Sequence, residues 1–175
     1  IQLDAAYLGI ESIQTTEGKN LKYEYEGGEK TKGLIVYLDT FIQNSSDQII
    51  KIQYHSNWSN ESDPYNPAGS YGKGIRYFGP TFTEPKKRKQ LWSMGEPISN
   101  CFWFPCNESL EDIRTTDITI IVPDTLMVIA NGILKNKSHN SKETTFQYLD
   151  NIAHPNYLTS ITIGEYIDVK QQYKD

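Results

Sequence analysis

Helical spacing is what this chain most lacks. Through 175 residues almost no stretch sets apolar side chains three and four apart, which excludes a helical bundle or a coiled coil. Cysteine is scarce. Cys101 and Cys106 are the only two, too few for a disulfide framework and without partners at zinc-finger spacing. They either pair with each other across a loop or stay as buried free thiols, and the second reading is the better one. Histidine is nearly as sparse: His55, His139 and His154 stand apart, H-E-x-x-H is absent, and each reads as a surface or satisfied core residue. No G-x-S-x-G elbow supports a hydrolase serine. No apolar run approaches the roughly 20 residues needed to span a bilayer as a helix. Positive charge is also short. A net charge of −5 argues against a nucleic-acid partner, and the one basic run, Lys86-Lys87-Arg88-Lys89, reads as a solvated loop. No metal site, cofactor site or complete active site is legible, so catalytic residues are expected to be none.

What the chain has instead is alternation. Asn20 to Glu26 puts Leu21, Tyr23 and Tyr25 on one face and Lys22, Glu24 and Glu26 on the other, the period of a strand. Further strands are expected over Ala6–Gln14, Gly33–Asp39, Gln48–His55, Gly72–Phe78, Gln90–Met94, Thr116–Val122, Leu126–Ala130, Ile133–Asn136, Thr144–Leu149 and Tyr157–Val169. Asn131-Gly132 is the strongest short hairpin signal, and Gly164 suggests a bulge in the last strand. Ser56 to Ser70 reads as a long functional or disordered loop. The only candidate helix is a single turn over Leu110–Arg114, capped by Ser109. The fold class is therefore all-β and antiparallel, in one domain over residues 1–175. Its opening, Ile1-Gln2-Leu3-Asp4-Ala5-Ala6, reads as mid-strand, so the first strands are expected to be missing, and with them any localisation signal.

The stretch from Gln90 to Arg114 breaks the pattern. Trp92, Phe102, Trp103 and Phe104 crowd among both cysteines, Pro97 and Pro105. Such aromatics are either buried or used as a contact surface, while the prolines forbid a long helix. Glu96 stands between Gly95, which lets a backbone or ligand approach, and Pro97, which stiffens the exit. A carboxylate so placed suits a cation, and a peptide's α-ammonium is one. A pair at about 4 Å gains roughly 4 kcal/mol before desolvation at an effective dielectric near 20. Other constellations carry less. Gly69, Gly72 and Gly74 are followed by a strand and not by the helix a phosphate loop requires. Glu108, Glu111 and Asp112 flank Arg114 and read as a charge network on a turn. Five N-x-S/T sequons, at Asn44, Asn57, Asn60, Asn107 and Asn136, carry little weight in an Asn-rich chain.

Glu96-Pro97 followed by Phe104-Pro105-Cys106 resembles the N-terminal domain of zinc aminopeptidases of the aminopeptidase N and leukotriene hydrolase type, where T-Q-x-E precedes F-P-C-x-D at this spacing. Leu3-Asp4-Ala5, Ile121 to Gly132, and Thr145 to Tyr166 resemble that domain's opening, a strand-turn-strand ending in A-N-G, and its closing stretch. The resemblance thus covers nearly the whole chain. It implies saddle-like, twisted sheets or a β-sandwich docked on a catalytic domain of the same polypeptide that this sequence does not contain. That domain would carry G-x-M-E-N, H-E-x-x-H and the zinc. It also implies that Glu96 holds the α-amino group of a peptide substrate with a free N-terminus. Met94 replaces the family's glutamine beside it, which implies either a more apolar pocket or a drift in specificity. After Cys106 the family's D-x-P gives way to Asn107-Glu108-Ser109-Leu110. The alternative is a non-catalytic β-sandwich, either a scaffold or a carbohydrate-binding module stacking sugars on Trp92, Trp103 and tyrosines.

Overall fold

The computed structural model describes residues 1–28, 33–38, 48–56, 73–169 and 171–172. Among the described residues twelve strands form four sheets, and every strand pair is antiparallel. β1 (Gln2–Leu3), β4 (Leu34–Tyr37) and β3 (Lys22–Tyr25) make one sheet in that order, and β2 (Leu8–Thr15) pairs with β5 (Ile50–Ser56) in another. β6 (Gly74–Phe78), β7 (Gln90–Met94), β12 (Ile161–Gly164) and β9 (Met127–Ala130) form the four-stranded sheet. β10 (Ile133–His139), β11 (Glu143–Pro155) and β8 (Ile113–Pro123) complete the set. The alternation expected of an all-β chain is borne out, and no α-helix occurs among the described residues.

Three packed clusters follow from it. Ala5, Leu8, Ile13, Leu21, Leu34 and Val36 are buried together, while Tyr25 beside them accepts the Leu8 N–H at 2.9 Å. Val122, Val128, Phe146 and Tyr148 form a second cluster. Each large apolar side chain so enclosed stabilises the fold by about 1.5–3 kcal/mol relative to exposure. The third cluster is Ala6, Cys101, Phe102 and Cys106, tied to the N-terminal segment by paired backbone bonds between Asp4 and Cys106 of 2.7 and 3.0 Å. Both cysteines are buried free thiols.

Several sequence expectations are corrected. Asn131-Gly132 does not close a hairpin, because β9 pairs with β12 and β10 pairs with β11. The dipeptide carries the chain from one sheet to another. The Asn131 amide donates to the Leu158 carbonyl at 3.0 Å and its oxygen accepts the Ser160 N–H at 2.6 Å. Gly132 has φ +79°, and a Cβ there would lie 2.3 Å from the Leu149 oxygen. Local turn chemistry is right, but the partner strand is decided by tertiary bonds. The expected strand over Tyr157–Val169 is broken: a 3-10 turn covers Asn156–Leu158, and β12 spans only Ile161–Gly164. Gly164 ends that strand instead of bulging it, while bulges occur in β2 and between Asp150 and His154 of β11. The Ser109 segment forms a turn, closed by Asp112 N–H to the Ser109 carbonyl at 3.1 Å, and not a helix. The expected loop over 57–70, Gly69, Gly72, and the sequons at Asn44, Asn57 and Asn60 lie outside the described residues.

Candidate functional site

β7 runs outward through Trp92 and Met94 and delivers the chain to Gly95 and Glu96. The turn that follows is pinned from several directions. Gly95 is buried against β11's exit: a Cβ on it would lie 2.2 Å from the Tyr157 oxygen and 2.7 Å from the Asn100 amide nitrogen. Only glycine allows that approach. Ser99 N–H donates to the Gly95 carbonyl at 2.9 Å, and Ser99 Oγ donates to the Glu96 carbonyl at 3.1 Å. The Glu96–Pro97 peptide is cis. Next comes a 3-10 turn over Asn100–Phe102.

Asn100 is the brace of this arrangement. Fully buried, it donates through Nδ2 to the carbonyls of Asn156 at 2.6 Å and Thr159 at 3.0 Å, and accepts the Trp103 indole N–H at 2.7 Å. Its side chain therefore locks the Glu96 turn to the Asn156–Leu158 turn more than fifty residues on. Each of these bonds is worth only about 0.5–1.5 kcal/mol net, but an unmade buried one costs more.

A concavity of about 490 Å³ opens at this junction, lined by Met94, Glu96, Pro97, Leu110 and Tyr157. The Glu96 side chain is exposed at its wall, and no cation or donor pairs with it among the described residues. The wall around it is apolar, with Met94, Pro97 and Leu110. The structure thus brings Met94 and Glu96 together as lining residues of one concavity. Pro97 reads in the sequence as a flank of Glu96, whereas Leu110 and Tyr157 are not expected to line the site. Tyr157 is delivered by a turn sixty residues away, and no local signal marks it.

Behind the site the charge network expected on a turn around Arg114 is overturned. Glu108 is buried: its carboxylate accepts the Cys101 N–H at 2.8 Å and the Asn156 amide at 2.7 Å, and its own N–H donates to Asp4 at 3.0 Å. Arg114 donates to the Asn156 side-chain oxygen and lies over the Phe104 ring, 5.9 Å from its centroid. The reason for the inversion is that Glu108 follows Cys106 into the interior, where backbone N–H groups need an acceptor. Burial, aided by the Glu108 and Asp4 carboxylates, pushes the Cys101 thiol up to about 12. Burial and Glu108 push Cys106 up as well, against the opposing charge of Arg114. These are inert thiols, since the thiolate is the reactive form.

The histidines are dispersed as expected. His55 is exposed beside Glu11 at 3.1 Å, and His139 meets Thr144 Oγ1 at 3.1 Å. His154 is buried with Nδ1 2.8 Å from the Ile152 carbonyl, so that nitrogen carries a proton. Among the described residues no three His, Cys, Asp or Glu side chains stand where they would hold a metal. The described residues do not fit a zinc ion, and no metal chemistry is assigned to them. No helix among the described residues is long and apolar enough to cross a membrane. Trp92 and Trp103 do not form a common platform: Trp92 stacks on Phe78 at 5.6 Å, and Trp103 meets Phe104 edge-on at 4.4 Å.

No protein-family model matches the chain, and no curated protein matches it in sequence. Solved structures do match its fold. An M1 zinc metallopeptidase from Deinococcus radiodurans, in a mutant form bound to a Tyr-Ser-Ala substrate, superposes with a TM-score of 0.68 at 18% identity. The match covers 94% of this chain and 34% of that one. The same enzyme without the mutation gives 0.70 at 16% identity. Leukotriene A4 hydrolase from Saccharomyces cerevisiae gives 0.60 at 18% identity, covering 94% of this chain and 23% of that one. The chain therefore spans a quarter to a third of the length of the proteins it resembles. Its fold is that of the M1 aminopeptidase N-terminal domain.

Proposed function

We propose that this chain is the β-structured N-terminal domain of a zinc-dependent aminopeptidase, and that it docks on a catalytic domain and lends Glu96 to the binding of a substrate's α-ammonium group. One observation carries the reading. In a domain of this fold, the glutamate singled out by its spacing from Phe104-Pro105-Cys106 is an exposed, unpaired carboxylate in a preformed concavity. An α-ammonium offers three donors to such an acceptor, and a charge-assisted bond of that kind is roughly twice as strong as a neutral one. The apolar wall of Met94, Pro97 and Leu110 lowers the local dielectric around the pair. Met94, standing in place of an amide, favours substrates with an apolar first side chain. Zinc and the water-activating groups belong to the catalytic domain, so this chain by itself hydrolyses nothing in this reading.

The test uses the protein extended past Asp175, with leucine and alanine p-nitroanilides as substrates. Activity that a chelator abolishes and zinc restores supports the reading. A folded protein with no activity on any free-amino substrate overturns it in favour of a non-catalytic scaffold. A second reading rests on a different concavity, of about 510 Å³, whose lining includes Tyr54, Trp103, Phe104 and the Thr115–Ile120 stretch. Aromatic faces of this kind bind sugars in a carbohydrate-binding module, and glycan binding lost on Trp103→Ala would favour it.

A further inference from the structure

Three turns meet at the Glu96 concavity, and one network of buried side chains fixes them to one another. Asn100 ties the Glu96 turn to the Asn156 and Thr159 carbonyls. Glu108 holds the same Asn156 through its side-chain amide at 2.7 Å and also accepts the Cys101 N–H at 2.8 Å. The chain passes straight from Glu108 into the third turn, over residues 109–112. That turn is closed by Asp112 N–H to the Ser109 carbonyl at 3.1 Å, and Ser109 N–H donates to the Asn107 side-chain oxygen at 3.1 Å.

Leu110 stands in this turn among Ser109, Glu111 and Asp112, the polar residues that turns favour. It is 65% exposed and belongs to none of the three buried clusters, so core packing does not account for it. A single exposed leucine is ordinary on any protein. Leu110 differs because it lines one concavity together with Met94, Pro97, Tyr157 and the Glu96 carboxylate. Apolar walls around a single charged group are the usual make-up of a small-ligand site. The turn is held by its own hydrogen bonds and by buried Glu108, so this wall is formed before any ligand arrives, which lowers the ordering cost of binding.

We propose that Leu110 is a specificity-determining residue: it forms an apolar wall against the side chain of the substrate's first residue and favours a bulky apolar side chain over alanine or a charged one. The inference rests on the aminopeptidase reading and goes beyond it, because it assigns selectivity to the turn over residues 109–112. Glu96 cannot supply that selectivity, since the α-ammonium is the same in every substrate. A peptide held by that group carries its first side chain on the adjoining carbon, one bond from the nitrogen. The side chain therefore lies in the same concavity, and about 490 Å³ admits a bulky one. Contact with Leu110 takes apolar surface out of water on both partners, and the gain grows with the area covered. A larger apolar side chain thus gains more than a methyl group.

The test uses the protein extended past Asp175, with leucine, alanine and arginine p-nitroanilides. Leu110→Ala is expected to lower the leucine-to-alanine ratio of kcat/KM about 3- to 10-fold. That is at or below the low end of the roughly 10- to 200-fold that a methylene is worth in an enclosed pocket, because this wall is open on one side. Leu110→Asp is expected to raise the arginine-to-leucine ratio by a similar factor. The site is exposed, so neither substitution disturbs a buried contact. Binding of leucinamide and alaninamide to the zinc-free protein, followed by NMR titration, reads the same preference without hydrolysis, and Leu110→Ala should narrow it. Equal losses on all substrates, or unchanged ratios, overturn the proposal. The two readings fail separately. An active protein whose ratios ignore Leu110 refutes this assignment alone. Leu110-dependent amide binding without activity keeps the assignment and refutes the peptidase, while a protein that neither hydrolyses nor binds these probes refutes both.

Discussion

Glu96 and Gly95 do different work at adjacent positions. Glu96 contributes charge, so its replacement should be read in kinetics and not in stability. In the protein extended past Asp175, Glu96→Gln keeps shape and removes the charge. On the proposed function it is expected to raise KM and lower kcat for amino-acid arylamides, with kcat/KM falling roughly 10- to 100-fold, the equivalent of one charge-assisted hydrogen bond. Unchanged kinetics would remove Glu96 from the site. Gly95 contributes space. Its missing Cβ would sit 2.2 Å from the Tyr157 oxygen, a backbone atom unable to swing aside. Gly95→Ala is therefore expected to cost about 1–3 kcal/mol by overpacking, measured as a lower urea midpoint, and on the proposed function to reduce activity by moving Glu96.

At the scale of elements, the site is two turns clamped by one amide. β7 and the Asn100–Phe102 turn present Glu96, the Asn156–Leu158 turn presents Tyr157, and Asn100 joins them. Asn100→Ala leaves the Asn156 and Thr159 carbonyls and the Trp103 indole without that partner. The expected loss is about 2–4 kcal/mol, read by chemical denaturation, with a larger loss of Glu96-dependent binding than Gly95→Ala causes in the strands themselves. A variant as stable as the parent would show that water replaces the amide and that the clamp is not needed.

For the whole molecule, the inert thiols give a pH signature. Cys101 has an ordinary value of 9.0 and is pushed up to about 12 in the folded state by burial first, then by Glu108 and Asp4. Between these values the unfolded chain loses the thiol proton while the folded one keeps it. Stability is therefore undiminished below pH about 9 and falls as pH rises toward about 12. Since Cys101 and Cys106 sit in the cluster that joins the N-terminal segment to the central one, they should react with a thiol reagent only on unfolding. Rapid labelling of either in the native protein at pH 8 would contradict this burial. Chelation, by contrast, should leave the stability of the described β-structure unchanged, because no metal-ligand cluster lies within it.

Alternation of apolar and polar residues determines an all-β chain by itself, because side chains two apart face the same way in any strand. The spacing from Glu96 to Cys106 likewise marks the unusual segment without any coordinates. What the pattern does not contain is pairing between distant strands. Asn131-Gly132 has the chemistry of a hairpin tip, yet β9 and β10 part company because Asn131 is bonded to Leu158 and Ser160. Glu108 reads as part of a charge network on a turn until folding surrounds it with the Cys101 N–H, the Asn156 amide and Asp4. Tyr157 and Leu110 join Glu96 only because tertiary contacts close the distance between them. Local preference acts over a few residues, whereas burial and long-range hydrogen bonds are set by the assembled whole, and the site is made of the latter.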